Sequence, residues 1–510
     1  MRNPSKIKPL EELSQVLDSL RSQSRATQVV HCHGVFDLLH IGHIRHFEQA
    51  KTMGNLLVVT VTPDQYVNKG PHRPAFSEGL RAEAVAALDC VDYVAINKWP
   101  EAVQAIKMIK PNVYAKGEEY RDAEKDITGN IVLEESAVKS VGGKIAFTED
   151  IVFSSTNLIN QHMPVFPQEV SQYLSDFSRR YSAGEVIQTL ENARALRTLV
   201  VGETIVDEYQ YCEQIGKSAK EPVLAVGYLS TEKFAGGVLA VANHVANFCD
   251  NVDVLTFLGT EDSNEEFIRQ NLHSNVDPIF LYKENSPTIL KRRFVESYLL
   301  QKLFEVYVIR NQELSSPERD LLCAKLLELL PQYDVVIVTD YGHGMFPPEV
   351  VDRLCSTAPF LAVNTQANAG NRGFNTISKY PRADFVSLTR YELSLEERSQ
   401  EKSIRDMVLN VSQKLNCGQV LVTLGKDGNL YYRDTEGFFE APAIASQVTD
   451  TMGAGDAVLS LTALCAAQKA PMEVVGLIGN TVGAQAIATL GHRSSVEKEG
   501  LYRHLASLLK

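Results

Sequence analysis

His40 and His43 stand three residues apart in the run HCHGVFDLLHIGHIRHFEQAK (His31–Lys51), with Gly42 between them. Imidazoles at that spacing face one side of a helical turn, so both can reach a single polyphosphate. The apolar Val29-Val30 ahead of the run reads as a strand, Gly34-Val35-Phe36-Asp37 as a tight turn, and the residues after Leu38-Leu39 as a helix. A helix start carries unpaired N–H groups and the positive end of its dipole, which suits a phosphate chain. Gly42 lets that chain approach the backbone closely. A bare His-x-x-His is more often a polar pair on a surface helix, but Gly34, Phe36, Asp37 and Leu38-Leu39 in front weaken that plain alternative.

A second stretch offers another phosphate chemistry. Asp450-Thr451-Met452-Gly453-Ala454-Gly455-Asp456 leads into the apolar helix Ala457–Ala467. Gly453, Ala454 and Gly455 let backbone N–H groups line a helix start as an anion hole. Asp456 is a carboxylate at that start, placed to accept a proton from an attacking hydroxyl. The plain alternative is an Asp-capped turn. The small-residue helix behind it (Leu459, Ser460, Ala463) suits close approach and favours the chemical reading.

Several polar stretches surround the histidine pair in sequence. Lys69-Gly70-Pro71-His72-Arg73-Pro74 is a basic, Pro-rich loop. Arg81 sits near a helix start, where an acidic residue would suit the dipole better, so a cation there points to an anionic partner. Lys116-Gly117-Glu118-Glu119-Tyr120 follows an apolar run, and Phe153-Ser154-Ser155-Thr156-Asn157 opens a helix with hydroxyl caps.

The elements that must position these residues alternate. A short amphipathic helix up to about Ala26 comes first, then strand Gln28–His33, helix Gly42–Met53, strand Leu56–Thr62, helix Ser77–Leu88 and strand Tyr93–Ile96. Helix Pro100–Ile109, strand Val113–Ala115, helix Ile131–Val141 and strand Lys144–Phe147 complete the pattern. Strands spaced by helices predict an α/β, Rossmann-like doubly wound parallel sheet with ligands at the carboxyl ends of its strands. Residues 164–196, with Pro164, Pro167 and two polar helical stretches, read as a helical linker between domains 1–163 and 197–510. In the second domain, Leu199–Gly202, Val254–Leu258, Asp334–Thr339, Leu361–Asn364, Phe385–Leu388 and Val420–Thr423 read as strands, and Phe234–Phe248 as a Gly-Gly turn into a helix.

At 510 residues there is ample core for two to four domains. A net charge of −13 argues against general nucleic-acid or anionic-membrane binding, both of which need a basic footprint. No apolar run approaches the ~20 residues of a membrane helix, and the N-terminus lacks the apolar core of a secretion signal. The eight cysteines are scattered without a C-x-x-C pair, as in reduced intracellular proteins. The expectation is a cytoplasmic enzyme with no dedicated metal-ligating cluster.

GVFDLLHIGHIRHFEQAK resembles the signature of the cytidylyltransferase-like nucleotidyltransferases. The resemblance implies that His40 and His43 are catalytic and hold the nucleotide phosphates. It further implies that Gly34, Phe36, Lys51, Arg81, Lys116, Gly117, Glu118, Ser154, Ser155 and Thr156 bind the nucleotide, with Asp37 toward the substrate. The versions KGxxRP, KGEEY and SSTNLI are most similar to the transferases of the ADP-heptose synthase family. Two departures stand out: Glu149–Phe153 replaces the family's acidic-Gly pair, and an acidic, polar loop lies between Tyr120 and Ile131, where base discrimination would occur. Both ATP and CTP fit at this point.

From Leu199 to Leu505, VGETIVDEY, the AGG turn, TDYGHG, TLGKDG and DTMGAGD resemble the ribokinase-like (PfkB-type) sugar kinases, in the order of the heptose-phosphate branch. The resemblance implies an α/β ribokinase-like fold with Asp456 as base and Gly453, Ala454 and Gly455 as the anion hole. Thr423, Gly425 and Gly428 would border ATP, and Asp207, Gly236 and Gly237 the sugar. The chain departs from the pattern at Ala240, Asn364 and Thr389, where the family has Asn, Asp and Asn; Asn243 lies three residues past Ala240. The bifunctional heptose enzymes also place their kinase first, so the order here is swapped.

Together these readings predict a bifunctional enzyme using Mg2+ and ATP (or CTP) as substrate. A kinase would make a sugar 1-phosphate from a sugar phosphate, and a transferase would couple it to a nucleotide with release of pyrophosphate. We expect a homodimer. The rival readings are a CTP-dependent transferase on another phosphorylated alcohol with a degenerate kinase-like domain, and a non-catalytic sensor. Intact His40, His43 and Asp456 speak against the sensor.

Overall fold

Val29–Gly34 (β1), Leu56–Val61 (β2), Tyr93–Ile96 (β3), Val113–Gly117 (β4) and Lys144–Thr148 (β5) lie side by side in the order β3-β2-β1-β4-β5, every neighbouring pair parallel. The computed structural model describes residues 6–67, 74–118, 130–148, 166–310, 312–371, 373–445 and 448–509. By their contacts they form two units, Met1–Arg179 with Glu499–Lys510, and Arg180–Lys498.

In the first unit, helices Leu10–Gln23 (α1), Ile41–Thr52 (α2), Glu78–Ala86 (α3), Val103–Ile109 (α4) and Asn130–Ser140 (α5) connect or flank the strands. The strands are apolar runs because both faces are covered. Val30, Cys32, Leu57, Val59 and Val61 meet Phe47, Ala82 and Val85 on one side. Val29 and Val58 meet Leu10, Leu13 and Leu17 of α1 on the other. The chain order reverses between β1 and β4, and that switch point is where a parallel sheet opens a crevice for ligands.

The boundary between the units falls after Arg179, between helices Gln168–Ser178 and Ala183–Asn192. The latter opens with a reciprocal Ser182–Glu185 capping box. The second unit holds a nine-stranded sheet. Its strands are Arg197–Gly202 (β6), Asn251–Glu261 (β9), Val276–Pro287 (β10), Val335–Asp340 (β13), Leu361–Thr365 (β14), Phe385–Thr389 (β15), Gln419–Thr423 (β16), Asn429–Arg433 (β17) and Gly437–Ala441 (β18). They run in the order β10-β9-β6-β13-β14-β15-β16-β17-β18, parallel up to β16 and antiparallel beyond it.

A further sheet of four strands was not anticipated. Thr204–Lys217 (β7), Leu224–Gly237 (β8), Ile289–Glu296 (β11) and Lys302–Val308 (β12) pair in the order β12-β11-β7-β8. The Gly236-Gly237 turn is therefore the end of a strand, and the helix after it runs Val238–Ala246. Among the described residues no helix is long and apolar enough to cross a membrane.

Candidate functional site

In the first unit the carboxyl ends of β1 and β4 and the start of α2 converge. Between β1 and α2 the backbone turns sharply: Phe36 and Leu38 both take the left-handed region with φ of +50°. That conformation is costly for bulky residues and concentrates at functional sites. A Cβ at Gly34 would lie 3.0 Å from the Phe36 ring, so the ring packs closely over the bare glycine. His40 caps α2, its Nδ1 accepting from the Gly42 N–H at 3.2 Å. The His40 and His43 rings are stacked with centroids 3.9 Å apart, and the Phe36 ring meets His43 edge-on at 5.5 Å. Partial burial holds the His40 imidazole below its ordinary pKa.

Lys116, at the end of β4, is nearly buried and pairs with Glu134 of α5 at 2.7 Å. Gly117 and half-buried Glu118 follow it. One turn beyond His43, His46 joins its Nδ1 to Thr148 Oγ1 at the end of β5, at 2.7 Å. Burial, with the Lys116 charge nearby, holds His46 down to about 4. His46, Thr148 and Glu134 were not singled out from sequence. The only signal for His46 was its place three residues after His43.

Three expected contacts take a different form. Arg81 is 1% exposed. Its guanidinium donates to the carbonyls of Phe76 (2.9 Å), Thr62 (2.8 Å) and Val35 and to the Asp64 carboxylate. In this arrangement Arg81 ties the turn after β1 and the segment after β2 to the start of α3. Lys51 lies at the far end of α2, donating to the Asn55 carbonyl at 2.8 Å and pairing with Asp92, whose carboxylate caps the start of β2. That is the amino end of the sheet, away from the His40–His43 turn. Asp37 is buried and accepts from the N–H groups of Ala75 (2.7 Å) and Phe76 (3.2 Å), anchoring the segment before α3. Ser154, Ser155 and Thr156, and the basic loop at Lys69–Arg73, lie outside the described residues.

In the second unit Gly453 caps helix Ala454–Ala467 with φ of +77°, and Asp456 falls in the first turn. Asp456 is buried, and the Tyr341 hydroxyl donates to its Oδ1 at 2.7 Å. Burial pushes its carboxyl up, while the charge of His492 and the Tyr341 hydrogen bond pull it back down. A Cβ on Gly453 would lie 2.4 Å from the His492 ring, whose Nε2 is 3.6 Å from Asp207 Oδ2. Asp207 is buried, ion-paired with Arg293, and set against Gly236, where a Cβ would come within 2.1 Å of its Oδ2. Gly237, with φ of +58°, turns the chain into the next helix. The structure thus brings Asp207, Gly236, Gly453 and Asp456 into one cluster and adds His492, Arg293 and Tyr341.

Asp450 opens the Gly-rich turn and pins it. Its carboxylate accepts from Lys302 (2.6 Å), Tyr209 (2.8 Å), Met452 N–H (3.1 Å) and Gly491 N–H (3.1 Å). Thr423 ends β16 beside Thr389 of β15, and Gly425 and Gly428, with φ of +62° and +93°, form the tight turn into β17. The family departures have local partners. Thr389 shares a capping box with Glu392, and Asn364 donates to the Ser387 carbonyl at 2.7 Å. Ala240 is buried. Asn243 bonds Asn271 and His273, and so does not stand in for the missing Asn. Among the described residues no group of three or more His, Cys, Asp or Glu is placed to hold a metal ion.

Residues 196–499 match the model of the pfkB family carbohydrate kinases, and residues 31–162 match the cytidylyltransferase-like model. The pfkB match covers more than half of the chain, which belongs to that family and carries a cytidylyltransferase-like region ahead of it. The bifunctional protein HldE of Koribacter versatilis is 29% identical over 316 residues, 61% of this chain and 63% of the relative. The bifunctional protein HldE of Trichlorobacter lovleyi is 36% identical over 171 residues, 32% of each. The chain thus spans less than two thirds of these curated relatives. Phosphofructokinase-2 from Escherichia coli superposes with a TM-score of 0.50 at 17% identity, over 61% of this chain and 99% of its own, which establishes the fold of the second unit.

Proposed function

We propose that the chain is a bifunctional enzyme that phosphorylates a sugar phosphate at its anomeric hydroxyl and then couples the product to a nucleotide, giving an ADP-heptose-like nucleotide sugar. What supports this most is that each unit has its own phosphate-handling helix start. One carries the stacked His40–His43 pair at the end of β1, the other Asp456 just past the Gly453 cap.

In the kinase step, Asp456 takes the proton of the acceptor hydroxyl as its oxygen attacks the γ-phosphorus of ATP. The bond to the bridging oxygen breaks and ADP leaves, with the N–H groups after Gly453 facing the transferred group. In the transferase step, an oxygen of the sugar 1-phosphate attacks the α-phosphorus of the nucleoside triphosphate and pyrophosphate leaves. His40 and His43 hold the phosphates as charge redistributes, and positioning supplies most of the acceleration. Mg2+ bound by the triphosphate would neutralise part of its charge; among the described residues no cluster of three or more His, Cys, Asp or Glu would hold it independently.

The test is pyrophosphate release by the purified full chain with each of four nucleoside triphosphates and a panel of sugar 1-phosphates, alongside ADP formation with hexose and heptose phosphates. Release with ATP and a heptose 1-phosphate is expected. Release with CTP and a phosphorylated alcohol only, without ADP formation, would replace this reading by that of a lone cytidylyltransferase.

A further inference from the structure

His492 lies where three parts of the second unit's site meet, and the steps set out above give it no task. Its side chain is 8% exposed. The ring covers the bare face of Gly453: a Cβ there would fall 2.4 Å from its Cε1 and 2.8 Å from its Nδ1. Its Nε2 stands 3.6 Å from Oδ2 of Asp207, just past hydrogen-bond reach. Gly453 caps the helix whose first turn carries Asp456. The imidazole thus touches the turn that presents one carboxylate and faces the other. The side chain also lines a polar cavity of about 370 Å3 with Phe234, Asn271 and His273. Through that cavity the ring can exchange a proton with solvent while both carboxylates stay buried.

Two buried carboxylates in one site repel, and each is harder to keep ionised for the other's presence. Burial raises the Asp456 carboxyl and Asp207 adds to the rise; the His492 charge lowers it, ahead of the Tyr341 hydrogen bond and the charge of Lys291 on β11. Arg293 takes Oδ1 of Asp207, which leaves Oδ2 toward His492. The other titratable groups around the ring are engaged elsewhere or neutral. Burial, then the charges of His492 and His273, hold His244 of the helix Val238–Ala246 down to about 3. Glu232 of β8 pairs with Arg493, Lys233 donates to Asn264 Oδ1 at 3.1 Å, and the His273 ring bonds Ser495 at 3.1 Å. Glu497 lies on the exposed side of the cavity.

From this placement we infer that His492, as an imidazolium, is a positioning residue of the kinase site. It holds Asp207 and Asp456 ionised together and lays a positive charge against the Gly453 turn, where the transferred phosphoryl group arrives. The inference rests on the kinase reading of this unit for the step it serves. The ring gives no proton to the substrate, and the proton of the acceptor hydroxyl still goes to Asp456. Histidine is the side chain whose charge changes between about pH 5 and 8, so phosphoryl transfer fades toward alkaline pH as the imidazolium is lost.

The test uses the full chain, wild type against His492→Gln and His492→Lys, with each variant's fold checked by thermal unfolding. ADP formation from hexose and heptose phosphates is followed as a function of pH. His492→Gln is expected to lower kcat roughly tenfold to a hundredfold, short of the loss of a direct anion-hole donor, with the KM for ATP little changed. Its acid limb moves to higher pH and its alkaline limb disappears. His492→Lys keeps the charge, retains more of kcat and carries its alkaline limb at higher pH. A kcat and profile shared by wild type and His492→Gln overturn the inference, as does a loss confined to the KM for ATP.

A second measurement needs no turnover. The His492 ring signal in NMR spectra of histidine-labelled protein, assigned by its absence from His492→Gln, is titrated in wild type, Asp207→Asn and Asp456→Asn. Its midpoint is expected at lower pH in both variants, and a midpoint unmoved in either overturns the inference. If no acceptor yields ADP in wild type while the midpoint falls in both variants, the kinase reading fails and the charge bridge through His492 stands.

Discussion

The Tyr341 hydroxyl lies 2.7 Å from Oδ1 of Asp456 and donates to it, stabilising the ionised carboxylate that burial opposes. A general base must be unprotonated to act, so with Asp456 in its proposed role this bond would set how far toward acid the kinase step runs. Tyr341→Phe removes the donor and leaves burial less opposed, so the Asp456 carboxyl rises further. The acid limb of the pH–rate profile for ADP formation is expected to move to higher pH, with the plateau less affected. An unmoved limb in a folded variant would show that the bond does not tune Asp456.

His43→Ala is expected to abolish pyrophosphate release and to leave ADP formation in place. His43 stacks on His40 in the first unit, and Asp456 lies in the second. Parallel assays on the one variant decide this. Loss of both activities in a folded protein would contradict separate sites.

Arg81→Ala is expected to act through stability. It strips partners from three backbone carbonyls and from Asp64 around a residue 1% exposed. Leaving buried polar groups unpaired costs on the order of 3 kcal/mol. Thermal unfolding should show a lower Tm for the first unit's transition. An unchanged Tm with a raised KM for the nucleotide would restore the direct phosphate contact.

Acid should weaken the first unit. Burial holds His31 down to about 3 and His46 and His504 down to about 4, with the Lys116 charge adding to the first two. In the unfolded chain these side chains titrate near 6.5. Below that pH the unfolded state binds protons that the folded state refuses, so stability is full above about 6.5 and is lost as pH falls toward 4 and 3. Tm is expected to fall between pH 7 and pH 5, and His31→Gln should make the fall shallower. A Tm independent of pH across that range would contradict this account.

What the sequence revealed was what is local. His40 and His43, and Gly453 with Asp456, are each set by a turn of a few residues, and their types and spacing carry the geometry. Arg81 near a helix start reads as an anion binder in sequence, and its internal contacts were not legible there. Its true acceptors, Val35, Thr62 and Phe76, belong to segments that only folding brings together. Lys51 shares a helix with His40 and His43, yet the length of α2 carries it to the opposite end of the sheet. The four-stranded sheet escaped notice because the outer halves of β7 and β8 are exposed on both faces and lack the alternation of a half-buried strand. His492 and Lys291 come from elements remote in sequence from Asp456 and Asp207, so no spacing rule points to them.

The membership of Glu499–Lys510 in the first unit bears on how the molecule comes into being. The helix Lys498–Leu508 buries Leu501, Tyr502 and Leu505, so part of that unit's interior comes from residues that follow the second unit in the chain. The second unit is in effect an insertion between the two pieces of the first. During synthesis Met1–Arg179 is made more than three hundred residues before the helix Lys498–Leu508 that joins its unit. It must stay soluble in the meantime with that surface uncovered. Removing the helix Lys498–Leu508 would strip buried residues from the first unit even with every residue of Met1–Arg179 still present.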